Sequence, residues 1–383
     1  MESVFSLIIG AIIGYIVSLI LDLPKTKIDN HLKKRRVRKT SKKLSKFDFS
    51  NDSGYMALDH AIPFYEENNI DLKHTGKEFI IEIPDKFKPQ LEQFKFETRK
   101  GSQKGLENIL SETFGFLSED NDYNKKIQVA AEEVSKDFIA QLENGATRFN
   151  GKMFGVQSIK CERLTENEKA GLSIEFYITD YFTYRVFAKL YQEYKSKIII
   201  KGIQDLKKYI PFLSSFGIAN FVIASDNTDE YILLGHRSNN VIVDKNRLHF
   251  SMNEAFSLKD IDEFEEPSFK SCLFRGLKEE LGINKDFKKN VVDYGFLDLG
   301  IDVNRMEMGI SSYTKLKFDD NFTPETLRKL YSIAQDRELE TKKLEFIPMS
   351  SLDKFINENE YKMSAGCRGT LKLLQARRIA GYL

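Results

Sequence analysis

The chain has only three cysteines, Cys161, Cys272 and Cys367, and they form neither a CxxC pair nor a His-linked metal spacing. That excludes a disulfide scaffold, and so sparse and odd a set fits a reducing compartment. Proline is scarce at eight residues, which excludes collagen-like and Pro-rich linker architectures. Neither sign of charge dominates, since 58 Lys and Arg against 57 Asp and Glu leave +1. A dedicated duplex nucleic-acid binder usually carries a large basic excess, so that class is excluded too. What the chain does have is 30 Phe and 16 Tyr within 41% hydrophobic content, too many aromatics for a disordered protein. Its 383 residues suffice for two or three domains with real cores.

The near-zero charge hides an uneven distribution. Val4 to Leu21 reads VFSLIIGAIIGYIVSLIL with no charge inside, close to the roughly 20 residues that a bilayer core requires. No positive n-region precedes it and no small-x-small cleavage site follows, which argues against a removed signal peptide. Residues 1–24 are therefore expected to form a transmembrane helix. The 25–46 segment that follows holds eleven Lys and Arg against one acid, Asp29, around the run KKRRVRK. Basic flanks stay inside, so the N-terminus is expected outside, the body in the cytoplasm, and the protein in the inner membrane. The basic strip is placed to touch anionic lipid headgroups. It contributes a net +10, so the remainder of the chain carries −9. Ser6, Gly10, Gly14 and Ser18 recur every four residues on one helical face, which predicts a homo-oligomer assembled through the span.

Residues 47–210 read as a mixed α/β middle region without obvious chemistry. Glu78 to Ile83 (EFIIEI) and Leu172 to Ile178 alternate like strands, whereas Gln103 to Leu117, Lys125 to Leu142 and Phe182 to Tyr194 have helical periodicity. His60 and His74 are isolated, and this stretch has no Gly-rich phosphate loop and no nucleophile elbow. Beyond it, strands are expected at Phe221–Ala224, Tyr231–Leu234, Leu248–Phe250, Val291–Leu297, Met308–Leu316 and Lys343–Ile347. A helix is expected from Ser268 to Leu281, stopped by Gly282. Another starts near Ser350, and a last one runs from Cys367 to Ala380.

Within the 268–281 helix lies Arg275-Gly276-Leu277-Lys278-Glu279-Glu280-Leu281-Gly282-Ile283. The segment resembles the second half of the Nudix box, REUxEExGU with U aliphatic, and six of the seven specified positions match. The resemblance spans 211–383 and implies an α/β fold (α+β in detail). This would be a Nudix-like α/β/α sandwich with a mixed sheet at the C-terminus, preceded by one transmembrane helix and the mixed α/β middle region. It also implies that Glu279 and Glu280 are hard oxygen ligands for Mg²⁺, with Arg275 orienting them as part of the catalytic set.

Two departures weigh against catalysis. Gly276 stands where the box has its first Glu, and the upstream half of the motif is missing. A third carboxylate would have to come from Glu254, Glu265, Glu266, Glu338 or Glu340. Arg237, at the end of a strand, and His249 with Phe250 are the candidate nucleotide contacts, for phosphate and base respectively. The layout as a whole resembles membrane-anchored Nudix-like effectors of the bacterial cyclic-oligonucleotide antiphage system, CBASS. That implies a domain binding a cyclic nucleotide signal and spans that disturb the lipid bilayer, ending in abortive infection. The rival expectation is an active membrane-bound Nudix hydrolase that cleaves a nucleoside diphosphate linked to another group. Gly276→Glu would separate the two by creating Mg²⁺-dependent activity in a pure binder.

Overall fold

A computed structural model describes residues 54–383, apart from 118–121, 165–168, 227, 239–243 and 336–340. The expected span, the basic strip and the Ser6–Gly10–Gly14–Ser18 face lie outside these residues. Among the described residues no helix is long and apolar enough to cross a membrane.

Two sheets organise the chain. The smaller contains β2 (Ile70–Glu78), β3 (Lys152–Leu164) and β4 (Lys169–Asp180) in the order β2-β4-β3. Helices α1 (Ile109–Leu117), α2 (Tyr123–Glu143) and α3 (Tyr181–Tyr194) complete this half. Asp180 caps α3 by accepting from the Thr183 amide at 2.9 Å, which satisfies a donor that the helix start leaves orphaned. The expected strand EFIIEI is corrected. Strand β2 ends at Glu78, and beyond it only Ile80 forms a ladder bridge, to Ser102. Phe79, Ile80 and Ile83 are buried as expected, but in an irregular segment.

The larger sheet takes β1 (Tyr55–Tyr65), β5 (Phe216–Ser225), β6 (Glu230–Arg237), β9 (Val291–Asp302), β10 (Glu307–Lys317) and β11 (Thr341–Pro348). Their order is β1-β9-β10-β5-β6-β11, with short strands β7 (Leu248–His249) on β6 and β8 (Met252–Ala255) on β5. Only the β5–β10 pairing is parallel, so the sheet is mixed, as expected. Period-two alternation divides it cleanly. From β5, Phe216, Ile218, Val222 and Ala224 pack on one face with Phe269, Leu273, Leu277 and Leu281 of helix α4 (Phe269–Leu281). Phe221 and Ile223 point to the opposite face, with Cys367, Leu371 and Leu374 of helix α7 (Ala365–Ala380). Helices α5 (Pro324–Ser332) and α6 (Leu352–Asn359) lie between these in sequence. The layering is therefore helix, mixed sheet, helix.

The sheet crosses the boundary expected at 210/211. Strand β1 belongs to the middle region by sequence, yet it pairs antiparallel with β9 from Tyr55↔Asp302 to Tyr65↔Phe296. The buried Arg377 of α7 locks it there. Its guanidinium forks onto Asp298 of β9 at 2.6 and 3.2 Å and donates to the Ala61 and Leu297 carbonyls. The two sheets are tied by Arg163 of β3, which forks onto Asp59 of β1 at 2.5 and 3.2 Å. Helix α3 is held to the β9–β10 turn by Tyr191 on the Val303 carbonyl and Lys195 on Asn304 at 2.7 Å.

Candidate functional site

Helix α4 carries the box and is well delimited. Ser268 caps its start by accepting from the Ser271 amide at 3.2 Å. Gly282 ends it at φ +71°, and the Ile283 amide reaches back to the Leu277 carbonyl at 3.0 Å. A side chain at Gly282 would also meet the Leu330 carbonyl of α5, at 2.6 Å from the Cβ position. The glycine of the box is thus required twice, by conformation and by close approach.

Arg275 is the hub of the site. It forks onto Asp260 at 2.7 and 2.8 Å, pairs with Glu254 at 2.9 Å and Glu279 at 3.0 Å, and donates to the Ala255 carbonyl at 2.8 Å. Asp260, fully buried, is fixed in turn by the Ser257 amide at 2.8 Å. The expected Arg275–Glu279 association is present. Asp260 and Glu254 complete it, and nothing in their sequence spacing singles Asp260 out.

Glu280 goes elsewhere. It is buried, and its Oε1 accepts from the Asn253 amide of β8 at 3.0 Å. One turn earlier on the same helix face, Gly276 is pressed against β8. A Cβ there would stand 2.4 Å from Met252 Sδ and 3.1 Å from its Cγ. Strand β8 therefore covers the face on which the missing carboxylate would project. The residues present do not fit Mg²⁺. Of the two expected ligands, Glu280 is spent on a backbone amide and Glu279 on Arg275, and Gly276, one turn before them, has no side chain. Among the described residues no group of three or more His, Cys, Asp or Glu is arranged to hold a metal ion. Of the other candidate ligands, Glu338 and Glu340 lie outside the described residues. Glu265 and Glu266 sit in the turn before α4 and are exposed.

Burial raises the Glu254 carboxyl to about 7, against the pull of Arg275. The folded protein then holds a proton that the unfolded chain has already lost above about 4.5. This contribution to stability is present below that value and is lost as the pH rises toward 7. Glu254→Gln removes the titration, so its melting temperature relative to wild type should improve between pH 5 and about 7 and level off above that. A difference constant across that range would contradict the assignment.

The candidate nucleotide contacts separate. Phe250 is a core residue, its ring 4.7 Å from that of Phe221, so it is not free to stack on a base. His249 is buried beside it. Burial, with the Arg237 and Arg305 guanidiniums nearby, holds its imidazole well below the usual range and therefore neutral. Arg237 is half-buried at the end of β6, its amide bonded to the Arg247 carbonyl at 3.0 Å. Arg305, in the β9–β10 turn, was not anticipated. It pairs with Asp302 at 2.6 Å, Glu307 at 3.1 Å and Asp244 at 3.2 Å. A groove of about 680 Å³ opens beside Lys270 and Phe274 of α4, but none of the box carboxylates lines it.

No protein-family model matches the chain, and no curated protein matches it. Among solved structures it is similar to the NUDIX domain of Shewanella oneidensis NrtR, solved with ADP ribose, at 12% identity and a TM-score of 0.27. That match covers 43% of this chain and 85% of the other. It is similar to a mutT/nudix family protein from Listeria innocua at 15% identity and a TM-score of 0.25, covering 41% and 89%. It is also similar to a bifunctional NMN adenylyltransferase/ADP ribose pyrophosphatase from Francisella tularensis at 12% identity and a TM-score of 0.28, covering 77% and 67%. Likeness at this level carries no weight on its own, so the function rests on the residues of the site.

Proposed function

We propose that the chain is a membrane-anchored effector of a CBASS-type antiviral system whose Nudix-like domain binds a cyclic (oligo)nucleotide signal without hydrolysing it. The observation that carries the non-hydrolytic reading is the covered face of α4, with Gly276 packed on Met252 and Glu280 bonded to the Asn253 amide. Hydrolysis by metal-activated water needs an open carboxylate cluster, and here every box carboxylate is engaged by protein. The anchor reading rests on the uncharged run Val4–Leu21, the basic strip behind it and the small-residue face Ser6–Gly10–Gly14–Ser18. In this reading the signal acts on the body, the spans assemble, and the inner membrane is disrupted.

The test uses the full chain in lipid nanodiscs with cyclic di- and trinucleotides. Binding by calorimetry should persist in excess chelator, and no hydrolysis product should form with Mg²⁺. Turnover that needs Mg²⁺ and disappears in Glu280→Gln would establish the hydrolase instead. In cells, Gly10→Ile with Gly14→Ile should abolish signal-dependent depolarisation. If depolarisation is unchanged, assembly through that face is refuted.

A further inference from the structure

The chain enters its described part at one end of the larger sheet. The Gly54 carbonyl accepts from the Val303 amide at 2.8 Å, in the β9–β10 turn. The same turn holds the end of α3, where Lys195 donates to the Asn304 side chain at 2.7 Å and Gln192 to the Asn304 carbonyl at 3.1 Å. The linker from α3 to β5 returns to this end, since Phe216, the first residue of β5, pairs with Met308 just past the turn. Gly54 follows Lys46, the last base of the strip, by eight residues. That stretch of chain spans at most about 28 Å. With the strip on the headgroups, this end of the body is tethered within reach of the bilayer.

The linker is basic and turns apolar side chains outward. Lys195 to Lys208 reads KSKIIIKGIQDLKK, five lysines against Asp205. Ile198 and Ile200 pack on the core, whereas Ile199 between them is 61% exposed. Phe116 of α1, 63% exposed, precedes Leu117, whose carbonyl accepts from Lys197 at 3.0 Å. A single exposed apolar residue calls for no explanation, but these two are set among lysines.

Most of the acids at this end are engaged. Asp205 accepts from the Lys201 amide at 2.9 Å and pairs with Lys208 at 3.6 Å. Asp302 and Glu307 face Arg305 at 2.6 and 3.1 Å, and Asp122 lies 3.9 Å from Lys125. Glu193 is exposed, and Glu119 and Asp120 lie outside the described residues. Lys195 and Lys197 donate to neutral oxygens, which leaves their charge uncancelled. Lys201 and Lys207 are exposed and have no side-chain ion pair among the described residues.

We propose that this end of the body, Lys195–Lys208 with Phe116, is a second membrane-contacting surface that docks on anionic lipid and seats Ile199 and Phe116 at the headgroup boundary. The inference rests on the anchor reading and adds an orientation of the body to it. Lysines near an anionic leaflet are attracted to it, and apolar side chains at the boundary add burial. The two apolar side chains commit the surface to lipid, because a soluble phosphate offers them nothing to bury against.

The chain has no tryptophan, so one introduced residue is a clean reporter. Ile199→Trp and Phe116→Trp each alter an exposed position. The control is Val292→Trp, also exposed, eleven residues back along β9 from Val303 and so about 36 Å away. The full chain is reconstituted into vesicles of phosphatidylglycerol and phosphatidylcholine with brominated acyl chains, and into brominated phosphatidylcholine alone. In the anionic vesicles Ile199→Trp and Phe116→Trp fluorescence should be quenched about twofold or more, and Val292→Trp should not. Adding Lys201→Gln and Lys207→Gln should remove most of the quenching, since each lysine contributes about fivefold to partitioning. If neither reporter is quenched while the chain stays with the vesicles through alkaline carbonate, the surface is overturned and the anchor reading stands. If carbonate strips the chain but the reporters are quenched on anionic vesicles, the surface stands and the anchor reading falls. Quenching that is as strong in phosphatidylcholine alone, or in Val292→Trp, overturns the proposal, because tethering by itself then accounts for it.

Discussion

Arg377→Met is expected to lower the melting temperature by on the order of 10 °C, from a loss of about 3–5 kcal/mol for breaking a buried ion pair. The residue is 4% exposed and its partner Asp298 is fully buried. Among the described residues, removing the cation leaves the Asp298 carboxylate with the Ser311 hydroxyl, at 3.2 Å, as its side-chain donor. It also strips the Ala61 and Leu297 carbonyls of donors. Most of the loss is the cost of the stranded charge, so removing the second charge should recover part of it. Arg377→Met with Asp298→Leu is expected to melt above Arg377→Met alone. Thermal melts of the two single variants and the double variant decide the matter. A single variant melting within about 2 °C of wild type would mean that α7 does not hold β1 in this way.

Gly276→Glu is expected to destabilise the protein by several kcal/mol and to create no hydrolase. Sequence alone makes the opposite forecast, because restoring the consensus should restore a ligand. Structure reverses it, since the position is buried and Met252 occupies the space a side chain would need. Overpacking costs about 1–3 kcal/mol, and an unpaired carboxylate there costs more. A cycle of small substitutions isolates the steric part. Alanine is a better helix former than glycine by about 1 kcal/mol. Gly276→Ala should express that gain in a Met252→Ala background and express less of it in wild type. An equal gain in both backgrounds would show that Met252 does not dictate the glycine.

Much of the C-terminal half could be read from residue pattern because its signals are local. Ser268 and Gly282 delimit α4 by capping chemistry, and the alternation of β5, β6 and β10 places them in a two-faced sheet. What could not be read is non-local. Gly276 reads as a missing carboxylate until Met252, on another element, is seen against it. Glu280 reads as a ligand until the Asn253 amide claims it. Phe250 reads as a candidate base contact beside a histidine, whereas it fills the core against Phe221. Strand β1 escapes because its ladder to β9 is interrupted between His60 and Tyr65, and Pro63 interrupts the strand pattern. EFIIEI misleads for the converse reason, since its apolar residues are buried without a continuous partner strand.

The pairing of β1 with β9 also imposes an order on synthesis. Tyr55 leaves the ribosome 247 residues before Asp302, its partner. At about 5–20 residues per second that is a delay of roughly 12–50 s. Of the strands, the first one made waits longest for its partner. For that interval an unpaired strand stands next to the segment expected to enter the membrane, so newly made chains would meet chaperones, or one another, before their own β9.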